Sequence, residues 1–392
     1  MKMLLRGLMV AAVAFLCVSA AQAQQVEITV DKDSTQSGSL GDFPVLVKLN
    51  NARTNNYTGM AADGSNLAFY QGGTPLAYEI ENFDNTGTSN IWVRVLTADN
   101  ANPIVAKWGA GQAATRPTTD VWSNGYIGVY HLNETAGTAI FDSTAGATNG
   151  VVVGSPTVNA VGQINGGMAF DGTYSTASPA GSDDAVGLGD NFEALLAMTA
   201  EGWAKAATQR VRNGSALFAK GDSIGGWWAT TWHMETDEDS GWVKWQVGDD
   251  LNDATISHRT ADGALVPGTW QYFAGTWDGG TTSSGVKVYV DGVDESAIAG
   301  QSGTFVQMED SNLNRHAVIG AGLIKNKYEG FEGDMDEVRF SDVERSADWL
   351  MSSYLSGADN YLGFANVVPE PASLALLGGG GLLLLSRRRR RA

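Results

Sequence analysis

The chain has 392 residues, with 43 acidic against 25 basic side chains, a net charge of −18 and one cysteine. That acidity excludes nucleic acid and anionic membrane surfaces as partners of the body, and a lone cysteine excludes a disulfide framework or a thiolate metal centre. Forty-nine glycines, 12 tryptophans and many short alternating apolar runs between Gly, Asp, Asn and Thr turns predict an all-β protein, long enough for two domains.

At the start, Lys2 and Arg6 precede an apolar stretch from Leu8 to Val18 that runs into Ala21-Gln22-Ala23, a small-x-small cleavage site, so residues 1–23 read as a secretory signal. Cys17 lies inside it and follows Leu16 rather than a small residue, which argues against a lipoprotein anchor and leaves the mature chain without cysteine. Removing both ends leaves 18 basic against 42 acidic residues, a net charge of −24.

Residues 24–110 are predicted to form a small β-sandwich, with strands at Val26–Val30, Phe43–Leu49, Leu67–Tyr70, Leu76–Phe83, Ile91–Leu96 and Ile104–Trp108. The blocks Gly41-Asp42-Phe43-Pro44-Val45-Leu46-Val47, Ala62-Asp63-Gly64-Ser65-Asn66-Leu67, Leu76-Ala77-Tyr78-Glu79-Ile80-Glu81 and Ile91-Trp92-Val93-Arg94-Val95 resemble a bacterial domain of unassigned function that precedes concanavalin-like modules in exported proteins. Lys107-Trp108-Gly109-Ala110 departs from the tyrosine-rich ending of that family. Residues 111–120, with Arg116-Pro117, read as a linker.

Residues 121–365 carry seven further blocks in order. These are Gly128-Val129-Tyr130-His131-Leu132-Asn133-Glu134, Phe141-Asp142-Ser143-Thr144, Gly167-Met168-Ala169-Phe170-Asp171-Gly172, Leu217-Phe218-Ala219-Lys220-Gly221-Asp222, the run from Gly268 to Asp278, Val286 to Gly292, and Gly333 to Phe340. The series resembles the laminin-G-like branch of the concanavalin A-like jelly rolls, which implies a second, jelly-roll sandwich. Independently, Val286–Val290 followed by Asp291-Gly292 predicts a strand entering a tight turn. One helical period is expected, at Ser346–Tyr354, with Trp349, Leu350 and Tyr354 on one face.

Catalytic motifs are weak. Gly221-Asp222-Ser223-Ile224-Gly225 has the nucleophile-elbow pattern, yet the glycine- and tryptophan-rich stretch behind it does not read as the helix an elbow requires. Glu332, Asp334 and Asp336 alternate along one strand as the acids of laminarinase-like glycosidases do on the same scaffold, although Gly333 replaces that family's bulky aliphatic and a bulge would exchange Asp336 for Glu337. His131, His233, His258 and His316 lack metal-ligand spacing, and His131 reads as a core-flanking residue. No catalytic residue is assigned.

Binding is better supported. Five tryptophans fall between Trp227 and Trp245, and alternation divides them between two faces, so that one set fills a core and the other presents rings to sugars. The stacking candidates are Trp228, Trp232, Trp242 and Trp245. Calcium is the expected ion, because the chain offers hard oxygen ligands and relatives of this fold carry one at the sandwich edge; Asp142, Asp171 and Asp336 are the candidate ligands.

The chain closes, in residues 367–392, with Pro369-Glu370-Pro371, an apolar run from Ala372 to Leu385, Ser386 and the arginines Arg387, Arg388, Arg389, Arg390 and Arg391. The run is about 21 Å as a helix, thin for a hydrocarbon core of about 30 Å, and Gly378 to Gly381 weaken it. The arginines stay on the cytoplasmic side. This tail resembles the PEP-CTERM signal of Gram-negative bacteria, which implies transient inner-membrane anchoring, exosortase processing and delivery to the cell surface or an extracellular polysaccharide matrix. The expected function is non-catalytic binding of surface glycan or exopolysaccharide. A glycoside hydrolase on the jelly roll and a structural matrix protein that binds other proteins are the alternatives.

Overall fold

A computed structural model describes residues 23–31, 38–109, 118–172, 184–192, 195–207, 215–221, 230–237, 240–308, 315–324 and 327–369. All six strands expected in the first module form, and Thr74–Pro75 adds a short seventh. They make two antiparallel layers. Leu40–Leu49, Ser89–Ala98 and Tyr78–Asn82 form a three-stranded sheet, while Gln24–Val30, Ile104–Trp108, Leu67–Gln71 and Thr74–Pro75 belong to a six-stranded one. Gln24–Val30 alternates as a half-buried strand should, with Val26, Ile28 and Val30 inside.

The six-stranded sheet is completed from the far end of the chain. Leu362–Phe364 pairs with Ile28–Val30, and Val368–Pro369 pairs with Gln24 and Gln25. The second module therefore does not keep its own end: within the expected range 121–365, residues 362–364 belong to the first module's sheet. Pro369, within the sorting tail, lies opposite Gln24.

The second module is a jelly roll. Among the described residues one layer is an eight-stranded sheet containing Gly166–Asp171, Glu332–Ser341, Met198–Ala206, Gln271–Trp277 and Val286–Val290, with Tyr126–Tyr130 also paired to Glu332–Ser341. The other layer is a nine-stranded sheet that includes Trp242–Asp249, Thr230–Asp237, Ser215–Gly221 and His316–Ile319. Asp291 and Gly292 both take positive φ, 50° and 80°, which is the primed hairpin turn expected there.

Two cores result. One lies between the jelly-roll sheets and contains Trp232, Trp245, Phe218, Phe273, Met335, Val338 and Phe340. The other joins the first module to the far face of the eight-stranded sheet, so Phe43, Trp92 and Trp108 share it with Trp122, Trp203, Tyr272 and Tyr289. The expected helix is Ala347–Gly357, capped by the Ser346 side chain, and it seals this second core. It covers the strand Leu40–Leu49, where the amide of Leu46 donates to Ser356 Oγ at 2.7 Å and Phe43 meets Trp349 edge to face at 4.8 Å. That cover explains why Val45, Leu46 and Val47 are consecutive buried residues rather than alternating ones.

Candidate functional site: an acidic cleft between the modules

The strand Tyr78–Asn82 presents Glu79 and Glu81, two residues apart and so on one face, toward the jelly roll. Trp92, opposite Glu79 on the neighbouring strand, donates its indole N–H to Glu81 Oε2 at 3.1 Å. From the other side comes Glu332–Ser341, whose alternation breaks once. Trp203 is opposite Asp336 and Glu201 opposite Arg339, and Glu337 has φ 54°, so one extra residue is inserted as a bulge. Met335 and Val338 both reach the inner core, and the two acids between them, Asp336 and Glu337, both face the first module, as does Arg339. A left-handed residue with a side chain costs roughly 1–2 kcal/mol, and the contacts of Glu337 hold it there.

His131, at the end of the strand Tyr126–Tyr130, is the hub. Its Nδ1 lies 2.7 Å from Glu337 Oε1 and its Nε2 3.5 Å from Glu79 Oε2. The ring stacks on Trp92 at 6.3 Å. Arg339, 3% exposed, places Nη2 2.5 Å from Glu337 Oε2 and Nη1 3.6 Å from Glu201 Oε1, with its guanidinium over Trp92 and Trp122 at 4.3 and 5.0 Å. Trp122 and Ser143 hold Glu79 at 2.6 and 2.8 Å, and Tyr272 donates to Glu201 at 2.5 Å.

These neighbours divide the acids. Burial opposes ionisation of all of them, but His131 and Arg339 hold the Glu337 carboxyl below its ordinary range, and His131 with the Trp122 and Ser143 hydrogen bonds does the same for Glu79. Glu81 is pushed up to about 8, first by burial and then by the charge of Glu337. Asp336, fully buried, is raised for the same two reasons and by Glu81, against the Ile164 amide at 2.7 Å and the charge of His131. Burial would lower His131, yet Glu337 and Glu79 raise it well above its usual value. Above this cluster opens a cleft of about 180 Å³ lined by Glu79, Ile80, Glu81, His131, Asn133, Glu134, Phe141 and Ser143. Phe141 is 60% exposed.

The residues expected from sequence fall elsewhere. Trp232 and Trp245 are fully buried between the jelly-roll sheets, 6.1 Å apart, and Gly275 leaves the space that the Trp245 ring fills. They are core residues, which corrects their assignment as stacking rings. Trp242 is on the opposite face from Trp245, partly exposed, with Lys244 and Arg259 over its ring at 5.8 and 5.5 Å. Trp228 lies outside the described residues, as do Glu370, Pro371, the span to Leu385 and Arg387–Arg391.

The proposed calcium ligands do not converge. The Asp142 carboxylate accepts from the amides of Val129, Thr144 and Thr148 and from Thr144 Oγ1 at 2.8–3.0 Å, so it pins its own loop. Asp171 is the exposed last residue of a mostly buried strand, its amide donating to Asp184 at 3.3 Å, and Asp336 belongs to the buried cluster. Nor do the supposed glycosidase acids line an open groove: Asp334 pairs with Lys205 at 2.8 Å and Asp336 is 0% exposed. Among the described residues, the three groups with potential ligand atoms within 4.8 Å of one another are Glu81, His131 and Glu337. Sequence reasoning set His131 aside for lack of spacing and gave Glu79 and Glu81 no role. Nothing local marks them, since His131 and Glu337 are 206 positions apart.

A model of the concanavalin A-like lectin/glucanases superfamily, in its laminin-G form, matches residues 180–351, and one of the PEP-CTERM protein-sorting motif matches residues 367–391. Among solved structures, domain 4 of AbnA, a GH43 extracellular arabinanase from Geobacillus stearothermophilus, in complex with arabinotriose, is similar at 16% identity and a TM-score of 0.40, over 58% of this chain and 96% of that one. The botulinum neurotoxin serotype D binding domain is similar at 13% identity and 0.39, over 59% and 51%. The binding domain of botulinum neurotoxin DC in complex with SialylT follows at 11% and 0.40, over 60% and 51%, so this chain spans about half of those two. No curated protein matches. No helix among the described residues is long and apolar enough to cross a membrane. The chain carries a laminin-G-like domain of the concanavalin A-like superfamily and ends in a PEP-CTERM sorting motif, the mark of an exported protein with a C-terminal sorting signal.

Proposed function

We propose that this exported protein binds surface glycan or exopolysaccharide without chemistry, in the cleft between its two modules, after exosortase removes its tail. The observation that supports this most is the exposed Phe141 ring at the rim of a cleft lined mainly by hydrogen-bonding groups, among them Asn133, Glu134, Ser143 and Glu81. A flat apolar ring beside convergent polar groups suits the face and the hydroxyls of a sugar. The direct test is an array of bacterial and plant glycans probed with the secreted chain, in calcium and in excess chelator. Binding that falls at least tenfold in Phe141→Ala and Asn133→Ala supports the cleft. A silent array moves the weight to matrix assembly through protein contacts, and release of reducing sugar, abolished in Glu81→Gln, would replace binding by hydrolysis.

A further inference from the structure

The buried cluster beneath the cleft is short of positive charge. Five carboxyl groups, Glu79, Glu81, Glu201, Asp336 and Glu337, face His131 and Arg339, with Lys48 farther off and its Nζ 3.3 Å from the Gly357 carbonyl. Four side-chain atoms of the cluster are buried without a close hydrogen bond, Nε2 of His131, Oε1 of Glu201, Oδ1 of Asp336 and Nε of Arg339, with Glu79 Oε2 3.5 Å from that Nε2. Such atoms are costly unless something else satisfies them.

The donors around Glu337 and Glu81 also hold each carboxylate by one oxygen. Glu337 is held through Oε2 by Arg339, which leaves Oε1 facing His131. Glu81 is held through Oε2 by Trp92, which leaves Oε1 with only Asn133 at 3.4 Å. On the far side of the imidazole stands Glu79, itself fixed by Trp122 and Ser143, where it would orient the ring. One oxygen tethered, one turned inward, and a carboxylate behind the histidine is the arrangement by which proteins orient metal ligands.

We propose that Glu81, His131 and Glu337 form a binding site for a divalent transition metal ion at the floor of the inter-module cleft. The nitrogen ligand favours zinc or its neighbours over calcium, which takes oxygen ligands. A cation about 2.1 Å from each ligand bridges ligand pairs up to about 4 Å apart, so atoms within 4.8 Å need only a small side-chain adjustment. Glu81, partly exposed, is free to make it, and the cleft gives the ion its entry path. Bound there, the ion joins one module's strand Tyr78–Asn82 to the other's Glu332–Ser341 and supplies the missing charge.

Protons compete with the ion for the Glu81 carboxyl. The secreted chain, stripped with chelator, is titrated with zinc by calorimetry, and its metal content is measured after gel filtration. The expected result is one equivalent, with affinity reduced at least tenfold in both Glu81→Gln and His131→Gln, and a Co(II) form with a visible spectrum of nitrogen and oxygen ligation. Glu81→Gln keeps an acceptor for the Trp92 indole N–H, so it reports on the site even where a His131 variant fails to fold. No saturable uptake, or one equivalent that both variants retain unchanged, overturns the assignment. Because no glycan is present, metal uptake is decided independently of the glycan reading.

Discussion

Neutralising Glu337 is the sharpest probe of the buried cluster. Glu337→Gln keeps the shape of the side chain but removes the charge between His131 and Arg339, 2.7 and 2.5 Å away, in a site that is 1% exposed. Each lost hydrogen bond to a charged group is worth about 1.5–3 kcal/mol, and breaking a buried ion pair costs about 3–5 kcal/mol because the partner charge stays buried. A loss near 4 kcal/mol is therefore expected. At about 2.1 cal/mol/K per residue, a mature chain of roughly 345 residues unfolding as one unit has an entropy near 0.7 kcal/mol/K, so Tm should fall about 5–6 °C. Calorimetry and urea titration in excess chelator measure both quantities without a metal contribution. Arg339→Met combined with Glu337→Gln should cost less than the sum of the single changes by about 1–3 kcal/mol. A loss below about 0.5 kcal/mol, or strict additivity, would refute the view that these charges meet in a dry interface.

Three other outcomes are expected. Trp245→Ala should destabilise the jelly roll by about 3–5 kcal/mol, since it empties a packed core, whereas Phe141→Ala should leave Tm within about 1 °C; thermal scans of the two variants separate core from rim. Burial works against ionisation of Glu235, but His233 at 3.4 Å and Lys244 at 2.5 Å hold it down to about 2. Its folded-state value is depressed, so the stability it provides is complete above its ordinary value of 4.5 and is lost as pH falls from there toward 2. Urea midpoints between pH 5 and 2 should fall less steeply in Glu235→Gln, and parallel curves would contradict this. Ala365→Pro removes the amide that donates to the Glu27 carbonyl at 2.9 Å, which should speed hydrogen exchange in Gln24–Val30 and leave the nine-stranded sheet unchanged.

The pairing of Val368–Pro369 with Gln24–Gln25 brings the start of the sorting motif to the edge of the first module's sheet, where Pro369 is the cross-strand partner of Gln24. The two-residue ladder is exposed on both Val368 and Pro369, so fraying it is cheap.

Local patterns were legible in the sequence. Alternation located the six strands of the first module, the Asp291-Gly292 pair predicted its turn, Ser346 and the spacing of Trp349, Leu350 and Tyr354 predicted the helix, and the order of the terminal segments predicted the sorting motif. Each depends on residues within a few positions of one another, where backbone geometry alone decides. Alternation also separated Trp242 from Trp245, but it does not say which face of a strand meets the second sheet, so the buried ring was mistaken for a binding one. The acidic cleft depended on more distant facts. A single inserted residue at Glu337 turned two adjacent acids to one face, against the period of two, and chain closure brought Glu79, Glu81, His131 and Glu337 together from three separated segments. The return of residues 362–369 to the first strand is of the same kind. Such contacts are chosen by which apolar surfaces can be buried together, a property of the whole chain, and only the tertiary structure decided them.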